Sequence, residues 1–98
     1  MSADEKISVR RKMKIRNKLG MHARAAVKFV QLASRFDSEV FVEKDGEQVN
    51  GKSIMGLLTL VAAFGTEVEV LAEGPDAVLA VDQLAVLVNC GFDEGVAD

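Results

Sequence analysis

Several residue types are scarce or missing in this chain, and each absence excludes a class of protein. There is no Trp and no Tyr, so the core must be built from Val, Leu, Ala, Met and the five Phe residues. The single cysteine, Cys90, cannot form an internal disulfide and is typical of a reducing compartment. One histidine and one cysteine are too few for a zinc site of the usual ligand number. We therefore expect neither a metal site nor a cofactor.

Motifs of common nucleotide-dependent and hydrolytic enzymes are also missing. The chain has no Walker A pattern, so we expect no direct binding of ATP, and without a G-x-S-x-G motif it does not fit a serine hydrolase. No signal peptide is visible, and the apolar stretch at residues 54–64 is too short to span a bilayer. These absences predict a cytoplasmic protein that does not insert into a membrane.

The residues that are present fit one small domain. The chain has 98 residues, 49% of them apolar, and we assign residues 1–98 to a single domain. The net charge is −3, yet basic residues crowd the start of the chain without interleaved aromatics. We interpret them as the solvated face of a strand and predict no nucleic-acid binding. These basic residues are Arg10, Arg11, Lys12, Lys14, Arg16 and Lys18.

The first two elements follow from hydrophobic spacing. Apolar and polar residues alternate from Ile7 to Arg16, which predicts a half-buried strand. Arg11 interrupts that alternation, so we expect this strand at or near an edge of its sheet. Apolar residues then recur at helical spacing from Ala23 through about Arg35, which predicts a helix.

A hairpin and a second helix are predicted in the middle of the chain. Residues 39–43 and 47–50 are its two strands, joined by a turn at residues 44–46. Ser53 is suited to cap the helix that follows, and Gly65 is its predicted stop. The apolar residues of this helix are Ile54, Leu57, Leu58 and Val61.

The chain closes with a strand and a third helix. Residues 67–70 alternate strictly as the last strand, Pro75 suits the first turn of the helix, and Gly91 follows as a stop. The predicted buried face of this helix is Val78, Val81, Leu84, Ala85 and Val88. The resulting order, βαββαβα with short connections, predicts an α+β fold with an antiparallel sheet and helices over one face.

His22 is the only histidine, and it lies between a glycine turn at Gly20 and the start of the predicted first helix. A helix N-terminus presents unpaired N–H groups and a partial positive charge, which together favour an anion. An imidazole there keeps one lone pair as a nucleophile, and Arg24 can bind phosphoryl oxygens. The pattern indicates a phosphoryl carrier, while a surface histidine without chemistry is the alternative that these residues leave open.

Residues 17–26 (NKLGMHARAA) and 51–58 (GKSIMGLL) form two separate motifs. The first resembles the active-site segment of HPr, the histidine phosphocarrier family of the bacterial phosphotransferase system. The second resembles the segment around the regulatory serine of that family. The spacing between the motifs also matches, and the resemblance covers about residues 7–92.

The resemblance implies an open-faced β-sandwich, a four-stranded antiparallel sheet with three helices on one face. It implies that His22 is phosphorylated at Nδ1, that Arg24 steadies the phosphoryl group, and that Ser53 is a target of HPr kinase/phosphorylase. The implied partners are enzyme I, which is charged by phosphoenolpyruvate, and a histidine of enzyme IIA proteins. Such a carrier is not a self-contained enzyme, and we expect a monomer.

The chain departs from the family pattern at two places. Ala25 stands where the family usually has Pro. Alanine is an excellent helix former, so we expect the first helix to lose little stability. Leu19 stands where members of the sugar system often have a small polar residue. Residues 17–24, together with residues 89–94, resemble the NPr branch of the nitrogen-related system. The sequence therefore leaves the sugar and nitrogen branches open.

Apolar residues of the second helix outnumber those that one helical face can bury. We predict that Ile54, Met55 and Leu58 dock partners, together with Met21 and Ala23 of the site segment. The alternative is a helix that is sunk deeper into the core. For the whole chain, the competing functions are a small regulatory domain that binds a metabolite and an adaptor that is never phosphorylated.

Overall fold

The computed structural model describes residues 7–96, which fold into four strands and three helices. Their order is βαββαβα, and all strand pairs are antiparallel, which confirms the predicted α+β fold. The elements are β1 (Ser8–Lys14), α1 (Ala23–Ala33), β2 (Glu39–Lys44), β3 (Glu47–Asn50), α2 (Ile54–Thr59), β4 (Glu67–Glu73) and α3 (Ala77–Asn89).

The sheet has the strand order β1-β4-β2-β3, so β1 lies at an edge, as Arg11 predicted. Alternation puts Val9, Arg11 and Met13 on the same face of β1, toward the helices. Arg11 is tolerated there because the edge is open, and its Nη2 lies 2.7 Å from Oδ1 of Asp82 on α3. The charged residue that interrupts the hydrophobic pattern therefore ties the edge strand to the helix layer.

The helices cover the sheet and enclose one core. Phe29 of α1, Leu57 of α2 and Leu84 of α3 are fully buried against Val42 and Val70 of the sheet. Burial of apolar side chains stabilises a fold by roughly 25 cal/mol per Å² of area removed from water. This shared core therefore fixes the positions of the helix ends, and those ends carry the site.

Three details of the first and third helices differ from the sequence predictions. The first helix ends at Ala33 instead of near Arg35. In α3, Pro75 lies before the helix, and Val78 is half exposed because Ala77 and Ala80 occupy the buried positions of the first turn. The other four residues predicted for the buried face of α3 are buried.

The second helix is shorter than predicted. It ends at Thr59, well before Gly65, because Val61 adopts a left-handed backbone conformation with φ of 52° and cannot continue the helix. Lys44 of β2 secures this end by donating to the carbonyl oxygens of Leu60 (3.1 Å) and Val61 (3.3 Å). The segment that follows α2 thus runs back toward the start of α1.

Among residues 7–96, the helices fall short of the length and apolar character that crossing a bilayer requires.

Candidate functional site

A tight turn places His22 at the N-terminus of α1. Gly20 has φ of +68°, and a Cβ atom on it would lie 2.5 Å from the carbonyl oxygen of Ala62. The N–H of Met21 donates to that same oxygen at 2.8 Å. Glycine is needed here for both its backbone angle and its lack of a side chain, since the turn packs directly on the segment after α2.

The two ring nitrogens of His22 have different partners. Nδ1 accepts from the backbone N–H of Arg24 at 3.3 Å, so His22 is the N-cap of α1. Nε2 lies 2.5 Å from Oε2 of Glu94. Because a carboxylate accepts and the N–H of Arg24 donates, this network assigns the proton to Nε2 and the lone pair to Nδ1. The available nucleophile is therefore Nδ1, at the positive end of the helix.

Glu94 is the residue of this site that the sequence analysis missed. Its Oε1 accepts from Nδ2 of Asn17 at 3.0 Å, and the same Nδ2 donates to the carbonyl oxygen of Gly20 at 2.8 Å. Asn17 is fully buried, so it links the carboxylate to the turn that carries His22. The sequence analysis used residues 89–94 only for the resemblance to the NPr branch, and nothing in their pattern indicated contact with His22.

Desolvation at the site opposes ionisation of Glu94. The hydrogen bonds from Asn17 and His22 outweigh it, helped by the positive charge of Lys28, so the pKa of Glu94 is lowered from its usual 4.5. Glu94 therefore remains a carboxylate throughout the neutral pH range.

The chain reaches His22 again through the turn that ends α3. The N–H of Phe92 donates to Leu87 O (2.9 Å) and that of Gly91 donates to Val88 O (3.0 Å), which is the pattern of a Schellman motif. The predicted stop at Gly91 is thus confirmed. Phe92 is fully buried. Its burial anchors the turn that carries Glu94.

Basic side chains border an open depression beside His22. Its lining consists of Lys18, Leu19, His22, Ala23, Arg24, Glu94, Gly95 and Val96. The guanidinium of Arg24 forms no hydrogen bond or ion pair with other residues in the range 7–96. An incoming anion would therefore meet an unpaired guanidinium and a helix N-terminus at the same place. No cluster of three or more potential metal-binding side chains occurs in that range either.

Ser53 is the N-cap of α2, as predicted, and its Oγ accepts from the N–H of Gly56 at 3.1 Å. The neighbouring Ile54 and Met55 are exposed, Met55 by 72%, and Leu58 is half-buried. Ala23 is also exposed, at the start of α1. These side chains are therefore accessible to a partner.

Met21 does not join that accessible surface. It is only 6% exposed, because its backbone hydrogen bond to Ala62 holds the residue against the core. We therefore correct the predicted docking set by removing Met21. Two exposed apolar residues that were not predicted, Leu19 and Val61, border a shallow depression between His22 and Leu58.

The α+β sandwich with one histidine at the N-terminus of its first helix is the arrangement that the sequence analysis expected of a histidine phosphocarrier. The family model described as "PTS HPr component phosphorylation site" matches residues 9–89. The chain therefore belongs to the HPr family of the phosphotransferase system.

Known proteins match nearly the whole chain. It is 51% identical over 87 residues to the phosphocarrier protein HPr of Neisseria meningitidis. These aligned residues make up 89% of this chain and 98% of that protein. It is 51% identical over 81 residues to the HPr-like protein Crh of Bacillus subtilis, covering 83% and 95%. The crystal structure of HPr from Bacillus anthracis superposes with a TM-score of 0.80 at 42% identity, covering 83% of this chain and 96% of that one.

The comparisons also bear on two expectations. The NPr protein of Shewanella violacea is 42% identical over 86% of this chain and 92% of its own, so overall identity does not favour the NPr branch. Crh of Bacillus subtilis has been solved as a domain-swapped dimer, at a TM-score of 0.70 and 49% identity over 85% of this chain and 95% of that one. The expected monomer does not fit this relative and is withdrawn.

Proposed function

We propose that this protein accepts a phosphoryl group on Nδ1 of His22 from phosphorylated enzyme I and passes it to a histidine of enzyme IIA. The observation that carries the proposal is the lone pair of Nδ1 at the N-terminus of an eleven-residue helix. Enzyme I draws its own phosphoryl group from phosphoenolpyruvate. These partners assign the function to the cytoplasm.

Each transfer exchanges one P–N bond for another. The lone pair of Nδ1 attacks the phosphorus on the donor histidine, and the electron pair of the breaking bond returns to the donor nitrogen. The unpaired N–H groups of α1 and the guanidinium of Arg24 stabilise the phosphoryl oxygens. In the second transfer His22 is the donor, and a histidine of enzyme IIA attacks the phosphorus while the electron pair of the breaking bond returns to Nδ1. The protein is therefore a carrier that is regenerated and is not itself an enzyme.

The proposed docking surface surrounds His22 on two sides. It consists of Ala23, Ile54, Met55 and Leu58, to which the structure adds Leu19 and Val61 as exposed apolar neighbours. A carrier must leave each partner quickly, so we expect a small contact at the low end of the size range for protein interfaces. Methionine suits such a surface because its flexible side chain adapts to more than one partner.

We further propose that Ser53 is a regulatory phosphorylation site for an HPr kinase/phosphorylase. Its side chain is half-buried at the start of α2, directly before the exposed Ile54 and Met55. A phosphate there would add about −1.5 to −2 charges. Partners that cover these residues with apolar surface would then lose affinity, since an unpaired buried charge is unfavourable.

The decisive experiment incubates the protein with enzyme I and phosphoenolpyruvate and measures its mass. We expect one added phosphoryl group that is labile in acid and stable in base, as for a phosphorylated imidazole. His22→Ala should remove the signal, and Ser53→Ala should retain it. Unchanged labelling of His22→Ala would refute the assignment, while an unlabelled wild-type protein would favour a metabolite-binding or adaptor domain.

A further inference from the structure

We propose that the outward face of α3 is a dimerisation surface, on which a second copy of this chain packs its own α3 in the opposite direction. This surface shares no residue with the proposed docking surface around His22, so it does not depend on the phosphocarrier function. We call it the α3 face, and it consists of Leu79, Gln83, Val86 and Cys90, bordered by the half-buried Leu32 of α1 and Leu87.

The solvent side of α3 carries almost no charge. Of its 13 residues only Asp82 is charged, and that carboxylate is already 2.7 Å from Nη2 of Arg11 on β1. Val86 is 68% exposed and Leu79 is 52% exposed. A surface helix normally has charged and polar residues on its outer face, whereas a helix that is apolar all round is normally covered on all sides. The composition of α3 therefore indicates that a partner covers its outer face.

The residues of the α3 face follow one another with the spacing of a coiled-coil seam. Leu79, Gln83, Val86 and Cys90 are separated by four, three and four positions in the sequence. With this spacing, the side chains of one helix enter the gaps between the side chains of another. The α3 face offers such a gap, a groove between α1 and the second half of α3. Its lining consists of Leu32, Gln83, Val86, Leu87, Cys90 and Asp93.

The exposed leucine and the groove lie at opposite ends of α3, so two copies match when their helices run in opposite directions. Leu79 of each copy then enters the groove of the other beside Val86 and Cys90. The two-fold axis passes near Gln83, whose amide has both a donor and an acceptor and pairs with the same amide of the second copy. A polar residue at the centre of an apolar seam fixes the register of the two helices.

Charges at the two ends of the α3 face also favour a second copy in the opposite direction. Arg35 lies at the amino end, because the nearby N–H of Asp37 donates at 2.9 Å to Asp76, the N-cap of α3. Asp93 lies at the carboxyl end, with Oδ1 3.4 Å from Sγ of Cys90. Both charged residues are exposed, and neither forms an ion pair within residues 7–96. Antiparallel helices bring Arg35 of each copy toward Asp93 of the other, whereas parallel helices bring like charges together.

The size of the face sets the expected strength of the dimer. At 1.5 Å per residue, α3 is about 20 Å long. A stable interface buries roughly 800 Å² on each partner, and one helix with the border of a second covers less than that. We therefore expect a weak dimer that exchanges with the monomer.

The first test follows sedimentation of the full chain from roughly 10 µM to 1 mM, a range suited to a small interface. We expect the average mass to rise from that of one copy toward that of two. Val86→Glu should weaken dimerisation by about tenfold or more, because it buries an unpaired charge in the seam. Val78→Glu is the matched control, since Val78 is half exposed on the same helix but lies about 100° around it from Leu79. This control should dimerise as the wild type does.

The second test fixes the direction of the helices by disulfide trapping under mild oxidation. Leu79→Cys should form a covalent dimer through Cys90 of the other copy, and adding Cys90→Ser to that variant should abolish the link. The wild type should not cross-link, because antiparallel helices hold the two Cys90 residues about 20 Å apart along the seam. A wild-type dimer linked through Cys90 would refute the antiparallel arrangement.

The third test exchanges the charges at the ends of the face. Arg35→Glu should weaken dimerisation about threefold, as for exposed ion pairs, and adding Asp93→Lys in the same chain should restore it. Failure of the second substitution to restore the dimer would refute the proposed register. Thermal melts check that every variant folds.

The outcomes of sedimentation decide between the possible occupants of the α3 face. A wild type that remains a monomer at every concentration would overturn the proposal and leave the face to a different partner. A dimer that persists in Val86→Glu would also overturn it, since the copies would then associate elsewhere, as in a domain-swapped dimer. Equal weakening in Val78→Glu and Val86→Glu would count against the seam. Labelling of His22 by enzyme I tests the carrier function separately, and Val86→Glu should be labelled as the wild type is.

Discussion

The guanidinium of Arg24 projects from the first turn of α1 and has no ion-pair partner among residues 7–96. An arginine held in a permanent ion pair would have to break that pair each time the phosphoryl group arrived. In the proposed carrier function, a guanidinium without a partner among the described residues could bind the phosphoryl group as it arrives and release it as it leaves. Its contribution should therefore appear in the transfer rate and not in the stability of the fold.

Arg24→Lys tests this expectation at the residue scale. Lysine keeps the charge but loses the planar fork that binds two phosphoryl oxygens. We expect slower transfer from enzyme I, with a free energy of unfolding within about 0.5 kcal/mol of the wild type. Urea denaturation and rapid-quench phosphorylation measure the two quantities. A large loss of stability with normal transfer would assign Arg24 a structural role instead.

Local sequence was enough to find His22 and its place at a helix start, because Gly20 and Arg24 are close to it in the chain. It was not enough to find Glu94, which lies 72 positions away in sequence. Their contact depends on the turn after α3 and on burial of Phe92, neither of which has a local pattern that points to His22. Long-range contacts of this kind require the folded structure.

At the scale of the element, the end of α2 is the feature that hydrophobic spacing predicted wrongly. The spacing continues through Val61, but its side chain is 73% exposed and its backbone is left-handed. Helical periodicity reports which residues could share a face. It cannot report where the segment must turn so that Ala62 receives the hydrogen bond from Met21.

Val61→Gly should stabilise the protein. A β-branched residue at positive φ costs about 1–2 kcal/mol, which glycine removes, against roughly 0.4–1 kcal/mol for the greater freedom of glycine in the unfolded chain. We expect a net gain of about 0.5–1 kcal/mol in urea denaturation. Val61→Ala is the matched control, since it removes the exposed side chain but keeps Cβ and should gain less. An equal gain in stability in both variants would show that the exposed valine side chain, and not the left-handed backbone, destabilises the wild type.

At the scale of the whole molecule, the sequence predicted the strand and helix order, the edge position of β1 and the antiparallel sheet. These follow from alternation, turn residues and the resemblance to HPr, and the structure confirms them. The proposed docking surface combines the turn before α1 with α2 and the segment after it. Only the folded structure shows that Met21 lies beneath this surface while Leu19 and Val61 lie on it.

Ser53→Asp tests this surface. Aspartate can still cap α2, so the melting curve should remain nearly unchanged. Its charge beside Ile54 and Met55 should slow phosphorylation of His22 by enzyme I by about tenfold, or about 1.4 kcal/mol. Gln48→Glu adds the same charge on the exposed face of β3 and should leave the rate unchanged. If both variants react at the wild-type rate, a repeat with enzymatically phosphorylated Ser53 decides whether α2 docks enzyme I.

The edge strand β1 has a practical consequence for any experiment that tethers or labels this protein. The carbonyl of Ile7 accepts from Gly74 N–H at 2.9 Å, and β1 then runs seven residues before the chain turns toward His22. At about 3.4 Å per residue, β1 spans roughly 20 Å, so its amino-terminal end is well separated from the end that leads to His22. Val96, in contrast, lines the depression beside His22. Immobilisation for binding measurements should therefore use the amino-terminal side, because a tag placed after Val96 would crowd the surface that a partner must reach.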